Sequence, residues 1–330
     1  AVENGRLDLT GTLSTGAVPA VNFDLAAELA GVTFEDAALQ QAIGESITAR
    51  TRILWTEGED VEMRGLDLRG AGYSAQADAA LTAGGRTSIL TATGKTVLED
   101  LSRFAALAGS DLSGQADLEF DLSYDLLGGS FALTSKGGTR DLALGIARLD
   151  PVIGGDAALE LAVNRSPEGI ALDTFSLSND QIALAASGRV ANDDGRIDYS
   201  ARLANSGAFM GVQGEVGSAA AMAARLLRGE TQVSARLLLN DRILLDRASV
   251  ASPALDIRAQ GELTAGARQL TVTGELFDSG DLTGAPGGPL KATVTAREGD
   301  AGYVVTLDGT ATDLATGVAQ ADLLLRGATR

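Results

Sequence analysis

Cysteine and histidine are both absent from the 330 residues of this sequence. Without cysteine there is no disulfide framework, no thiol nucleophile and no cysteine-based zinc site. That fits the cytosol and a bacterial periplasm equally well. Without histidine the commonest general base and transition-metal ligand is missing. Basic residues are scarce as well: 26 Lys and Arg stand against 44 Asp and Glu, a net charge of −18. Nucleic acid and anionic membrane surfaces are recognised through basic patches, so this balance argues against both partners. Aromatics make up only 4%, so the 45% of apolar residues is mostly Leu, Ala, Val and Ile. No run approaches the roughly 18 apolar residues that span a bilayer as a helix. Prolines number 6 against 41 glycines, a balance that suits many tight turns.

What the chain does hold is alternation. In Ile170–Leu203 the apolar residues step by two through Ile170 and Leu172, Phe175 and Leu177, Ile182 and Leu184, then Ile197, Tyr199, Ala201 and Leu203. Period two marks strands with one face buried, and the breaks fall at turn-formers such as Ser178-Asn179-Asp180 and Asn192–Gly195. The pattern predicts short antiparallel strands in a meander. It also repeats. Ile243–Leu276 overlays Ile170–Leu203 without a gap, and an earlier copy over 61–92 puts Val61, Met63, Leu66, Leu68, Tyr73, Ala75 and Leu81 in the same places. All three copies step once by three, from Met63 to Leu66, Leu172 to Phe175 and Leu245 to Ala248. Such a step swaps faces unless the strand bulges or bends, which places a β-bulge or bend near Arg64, Asp173 and Arg247. The reading is one continuous repeat array over 1–330.

Four short helices interrupt the strands. Residues 36–43 have Leu39 and Ile43 four apart and stop at Gly44. Residues 96–108 show capping-box spacing between Thr96 and Glu99, an apolar stripe and a stop at Gly109. Residues 218–228 are capped by Ser218 and closed by Gly229, and 316–326 end before Gly327. A helical turn is also expected around Asp150–Ile153. The chain begins AVENG without Met, and both ends cut the repeating pattern, which reads as a fragment of a longer array.

There is no P-loop and no dinucleotide fingerprint. Gly84-Gly85 and Gly137-Gly138 read as hairpin turns between strands, and Ser166–Gly169 as another. Glu57, Glu59 and Asp60, and Asp193 with Asp194, have the oxygen ligands calcium takes, but EF-hand spacing is missing and solvated loop charge is the favoured reading. Asp173 and Asp246 recur in register at the expected bends, where a short polar side chain satisfies local backbone groups. Trp55 reads as packing. No catalytic residue, metal ligand or cofactor site is expected, and the chain reads as a non-enzyme.

Helix–Gly–strand joints such as Ala224–Leu239 (ARLLRGETQVSARLLL) and Ala105–Phe120 (AALAGSDLSGQADLEF), together with ILLDRASVASPALDIRAQGEL and IALDTFSLSNDQIALAASGRV, resemble the TamB family. This is the inner-membrane subunit of the bacterial translocation and assembly module, related to AsmA-like proteins, and the resemblance covers nearly the whole chain. It implies an all-β fold, an elongated antiparallel meander curled lengthwise into an open apolar groove. It also implies a periplasmic location under an inner-membrane anchor. The implied function is conduction of phospholipid between inner and outer membrane and support of outer-membrane protein assembly. The implied partners are phospholipid acyl chains and a TamA-like outer-membrane barrel, the latter through regions not in this chain. The residues expected to line the groove are Met63, Leu66, Leu68, Tyr73, Leu118, Phe120, Ile170, Leu172, Leu177, Ile182, Leu184, Ile197, Tyr199, Leu245, Val250, Leu255, Ile257, Leu270 and Val272. Periodicity alone does not separate such a groove from a filled β-helix. A filled β-solenoid adhesin therefore stands as the alternative, with the uneven repeat starts at 61, 170 and 243 favouring the groove.

Overall fold

The computed structural model describes residues 2–16, 18–84, 87–147, 149–191, 194–206, 225–283, 287–299, 302–314 and 328–329. The fold is all-β and antiparallel, and the sheet is open rather than closed into a barrel. The chain divides into two compact units, Ala1–Asn179 and Asp180–Arg330. The first holds β1 (Val2–Ser14), β2 (Ala20–Val32), β3 (Ser46–Thr56), β4 (Val61–Gly70), β5 (Tyr73–Gly84), β6 (Thr87–Leu98), β7 (Ser113–Asp125), β8 (Phe131–Ala143), β9 (Asp156–Ser166) and β10 (Gly169–Ser178). Each of these pairs antiparallel with the next in sequence. The second holds β11 (Ile182–Ala191), β12 (Gly195–Leu203), β13 (Thr231–Leu239), β14 (Ile243–Ala251), β15 (Leu255–Glu262), β16 (Gln269–Leu276), β17 (Leu290–Gly299), β18 (Gly302–Thr312) and β19 (Ala328–Thr329), again a simple meander. A β-helix stacks its coils in parallel, so these ladders are not those of a filled coil.

The three expected irregularities are β-bulges. The ladder shifts between Met63 and Leu66, between Leu172 and Thr174, and between Leu245 and Ala248. Their effect is the reverse of a face swap. The bulge absorbs one residue, so Leu172, opposite Val163, and Phe175, opposite Leu161, project from the same face. In the first copy the odd residue is Gly65, at φ 61, where a left-handed backbone costs glycine least. Asp173 and Asp246 do not serve local backbone groups as the sequence suggested. Asp173 accepts from the Asn164 side chain at 2.6 Å, and Asp246 lies 3.8 Å from the Arg236 guanidinium.

Each meander has two unlike rims. Connections leaving an odd strand are hairpins, such as 57–60, 126–130, 167–168 and 240–242. Connections leaving an even strand lie together on the opposite rim and carry the helices. In the first unit these are α1 (Ala37–Ile43), a 3-10 turn (Leu101–Phe104) running into α2 (Ala105–Ala108), and α3 (Asp150–Ile153). In the second, α4 (Gly280–Thr283) sits there, with Arg225 and Leu226 also helical. The rim is stitched across connections: Gln41 donates to the Ser102 carbonyl at 3.1 Å, Asn179 to the Val152 carbonyl at 2.9 Å, and Ser252 to the Leu226 carbonyl at 2.6 Å.

Helix α1 is capped as its sequence predicts, with the Asp36 carboxylate accepting from the backbone of Ala38 and Leu39. The helix expected over 96–108 is shorter. Thr96, Val97 and Leu98 belong to β6, held by ladders to β5 and β7, and the Thr96 hydroxyl donates to the Ser74 carbonyl at 3.0 Å. Asp100, not Thr96, is the cap, accepting from the Ser102 backbone. Gly137 and Gly138 form no turn. They sit inside β8 with partners on both sides, because a Cβ at Gly137 would overlap the Asp117 carbonyl oxygen of β7. Close approach, not chain reversal, selects glycine there. Of the helix expected over 218–228, residues 218–224 lie outside the described residues, as does 316–326. The helical turn α4 was not read from the sequence.

Candidate functional site

Directly opposed residues in an antiparallel ladder share a face, so the registers assign every strand. In the first unit Met63, Leu66, Leu68, Tyr73, Leu118, Phe120, Ile170, Leu172 and Leu177 all project from one face. The chain of pairs runs Met63–Ala79–Ala92–Leu122–Leu133–Val163–Leu172. In the second unit Ile182, Leu184, Ile197, Tyr199, Leu245, Val250, Leu255, Ile257, Leu270 and Val272 likewise share one face. Ala183, Asp256 and Arg258 project from the other. The sequence reading left out wall residues on the intervening strands, such as Leu122, Leu133, Leu161 and Leu237. Extending the parity of Leu118 or Leu245 one strand further would have found them.

These apolar walls are only half covered. Along β7 the alternation is clean, yet Leu118, Phe120, Leu122 and Tyr124 stay partly exposed, and Ala116 alone is buried. Full burial is confined almost wholly to the helix-bearing rims. Ile153 is 0% exposed, Leu177 2% and Ile182 3%, and Leu142, Ala157, Leu203, Leu255 and Leu276 are buried beside the same connections. Towards the hairpin rims the wall opens: Leu127 is 69% exposed and Ile170 51%. Each unit therefore has a dry, sealed rim and an aliphatic wall that becomes wetter toward the hairpins.

The opposite face is mostly polar and in large part charge-paired, with a few apolar residues such as the opposed Leu238 and Leu244. Lys95, Glu119, Lys136 and Glu160 stand in line across β6 to β9 with alternating sign. Lys95 is 2.8 Å from Glu119, and its hydrogen bond lowers the Glu119 pKa. Asp198 takes Arg196 at 2.5 Å and Arg236 at 2.6 Å, and its pKa is lowered chiefly by the Arg196 bond. Asp60, one of the calcium candidates, accepts from the Thr82 hydroxyl at 2.7 Å, and Asp193 lies outside the described residues. Among the described residues no group of three acidic side chains is placed to hold a metal ion, and no helix is long and apolar enough to cross a membrane.

Among the described residues, charge on the apolar walls sits only at the hairpin rims, and between β2 and β10 the one charged wall residue described is Arg165, opposite Phe131 on β8 and Ile170 on β10. In the second unit the wall's charges are Arg268 and Glu298, 3.9 Å apart beside Tyr303.

No family model matches the chain, and no curated protein matches it. Among solved structures, a mutant porin of Rh. blastica aligns over 92% of this chain and 98% of its own. The identity is 13% and the TM-score 0.17, a level that carries no inference about fold or function.

Proposed function

We propose that this chain is part of a lipid conduit, an apolar wall along which phospholipid acyl chains travel between the two membranes of a bacterial envelope. The observation that carries the reading is the half-covered wall. A wall built to be packed against protein would bury Leu118, Phe120 and Leu184 as fully as Ile153; they remain partly open, and the other face of the strand that carries Leu118 and Phe120 is charge-paired. Each exposed methylene costs about 0.8 kcal/mol in water. A phospholipid with roughly 30 chain methylenes would thus face on the order of 20 kcal/mol if it crossed water bare. A continuous aliphatic wall lowers that barrier without catalysis, and no turnover is assigned to the chain. The resemblance to the TamB family, carried by the repeated strand triplets and the helix–Gly–strand joints, points the same way. It also supplies the proposed setting: the periplasm, an inner-membrane anchor and a TamA-like barrel as partner.

The test is capture. Native mass spectrometry of the purified chain is expected to show co-purified phospholipid. A photo-crosslinker at Leu184 or Ile257 is expected to trap it, and one at Ala183 or Asp256 to trap none. A lipid-free chain, or equal trapping from both faces, would reject the conduit.

A further inference from the structure

Arg165 is out of place by every local rule. It stands on a face that is otherwise uncharged from β2 to β10, its two cross-strand neighbours are Phe131 and Ile170, and it makes no ion pair or side-chain hydrogen bond among the described residues. The nearby acids are engaged. Glu168 in the β9–β10 hairpin accepts from the Ser166 hydroxyl, and Asp125 at the end of β7 accepts from the Leu127 backbone at 3.0 Å. On the polar face Arg52, Arg196 and Arg258 have a carboxylate within 3.0 Å, and Arg189, for which no carboxylate partner is found among the described residues, lies opposite Arg196 and not on an aliphatic wall. A guanidinium left unpaired at the wet end of an aliphatic wall complements an anion that arrives with an apolar tail.

The dimensions fit one kind of anion. From Arg165 back to Ala157, at the sealed rim, the wall along β9 is about 26 Å across at roughly 3.3 Å per residue. The hydrocarbon of one bilayer leaflet is about 15 Å deep, half of a core of ~30 Å. Acyl chains starting beside Arg165 would therefore run over Val163 and Leu161 and end before Leu159, well short of Ala157, where the wall becomes buried.

We propose that Arg165 is a headgroup station of the first unit. A phospholipid lies along β9 with its phosphodiester on the Arg165 guanidinium at the hairpin rim and its chain ends toward the helix-bearing rim. This deepens the conduit reading and rests on it: it gives the wall a polarity, headgroups at the hairpins and chain ends at the helices.

The test uses the 330-residue chain with phosphatidylglycerol and a diacylglycerol of the same acyl chains, presented together in mild detergent and quantified by native mass spectrometry. Arg165→Gln is expected to lower the phosphatidylglycerol-to-diacylglycerol ratio by roughly five- to tenfold, since an exposed charge-assisted bond is lost, while diacylglycerol capture stays unchanged. Arg165→Lys is expected to restore most of the ratio. Because the chain has no cysteine, Glu168→Cys and Asp156→Cys each place a single spin label, beyond the end of β9 and at its start. The lipid phosphorus resonance is expected to broaden with the first and not the second. Capture of neither lipid by the unaltered chain would overturn the conduit and this station with it. Capture of both, with a ratio that Arg165→Gln leaves unmoved or with stronger broadening from the Asp156 label, would overturn the station and leave the conduit standing.

Discussion

Met63 and Leu66 project from the same face of β4 although three positions separate them, because Met63 lies opposite Ala79 and Leu66 opposite Ala77. Gly65 takes up the odd residue at φ 61, with open space where a Cβ would be. Gly65→Ala is therefore expected to cost only the left-handed backbone penalty, about 1 kcal/mol. Deleting Gly65 is a different experiment. It turns Leu66 and Leu68 to the polar face and is expected to abolish cooperative folding of the first unit. Urea unfolding of the two variants checks this, and a deletion as mild as the alanine would show that the bulge does not hold the wall in phase.

Gly137 and Gly138 are adjacent in β8 and are expected to respond in opposite senses. A Cβ at Gly137 overlaps the Asp117 carbonyl oxygen and lies 2.9 Å from the Leu118 Cα, both backbone atoms of a laddered strand that cannot retreat. Gly137→Ala is expected to destabilise by about 2 kcal/mol or more, as overpacking does. A Cβ at Gly138 meets nothing nearer than the Ala157 carbonyl oxygen at 3.6 Å. Gly138→Ala is expected to be neutral or to stabilise by about 0.5 kcal/mol through the unfolded chain. Equal effects would show that the β7–β8 approach does not require glycine.

These two positions also mark how far the sequence can be read. Facing was legible because period two survives in the residue types themselves, and a step of three repeated at Met63, Leu172 and Leu245 was enough to place the bulges. The Gly137-Gly138 pair was not legible. A turn and a close strand approach select the same residue, and only the cross-strand partner separates them. Thr96 and Glu99 misled for a similar reason. Capping-box spacing arises by chance in a Thr-rich strand, and the ladders to β5 and β7 outweigh a local cap. Least visible was the sealed rim. That every described helix follows an even strand depends on counting strands correctly through the whole meander, and the residues the rim buries, Ile153 and Leu177 among them, look in sequence like any other wall residue.

Acid should weaken the fold and mild alkali should not. The carboxylates of Asp67, Glu119 and Asp198 are held below their usual pKa by hydrogen bonds from Arg69, Lys95 and Arg196, respectively, and Asp125 by backbone donors of its turn. A depressed folded pKa stabilises above the unfolded value, about 3.9 to 4.3. That stability is lost as pH falls through the folded value. With no histidine, no side chain of ordinary pKa titrates between about pH 5 and 8. The melting temperature is expected to be flat across that range and to fall below about pH 4. A drop between pH 8 and 5 would contradict the assignment. The individual losses are small, since these pairs are exposed.

Ile182 and Leu184 stand two positions apart on one face of β11 and separate the wall from the core. Ile182 is 3% exposed at the sealed rim, and Leu184 is partly open, opposite Ala201. Ile182→Asp buries a carboxylate with no partner and is expected to cost on the order of 3–5 kcal/mol, enough to melt the end of the second unit. At Leu184 water reaches the new carboxylate, so Leu184→Asp is expected to cost about 1–2 kcal/mol, mostly lost apolar contact. The order should invert for transport. An acyl chain crossing Leu184→Asp must desolvate a charge it cannot compensate, so lipid transfer is expected to fall by an order of magnitude or more while the melting temperature moves little. Ile257→Arg on β15 should behave in the same way, since Ile257 shares the partly open wall. The measurement is paired, thermal unfolding of the chain beside lipid transfer by the protein that contains it. Transfer that persists in a well-folded Leu184→Asp would mean that acyl chains do not travel on this wall. Collapse of the fold at Leu184 as complete as at Ile182 would mean that the wall is packed against something and is not open to lipid.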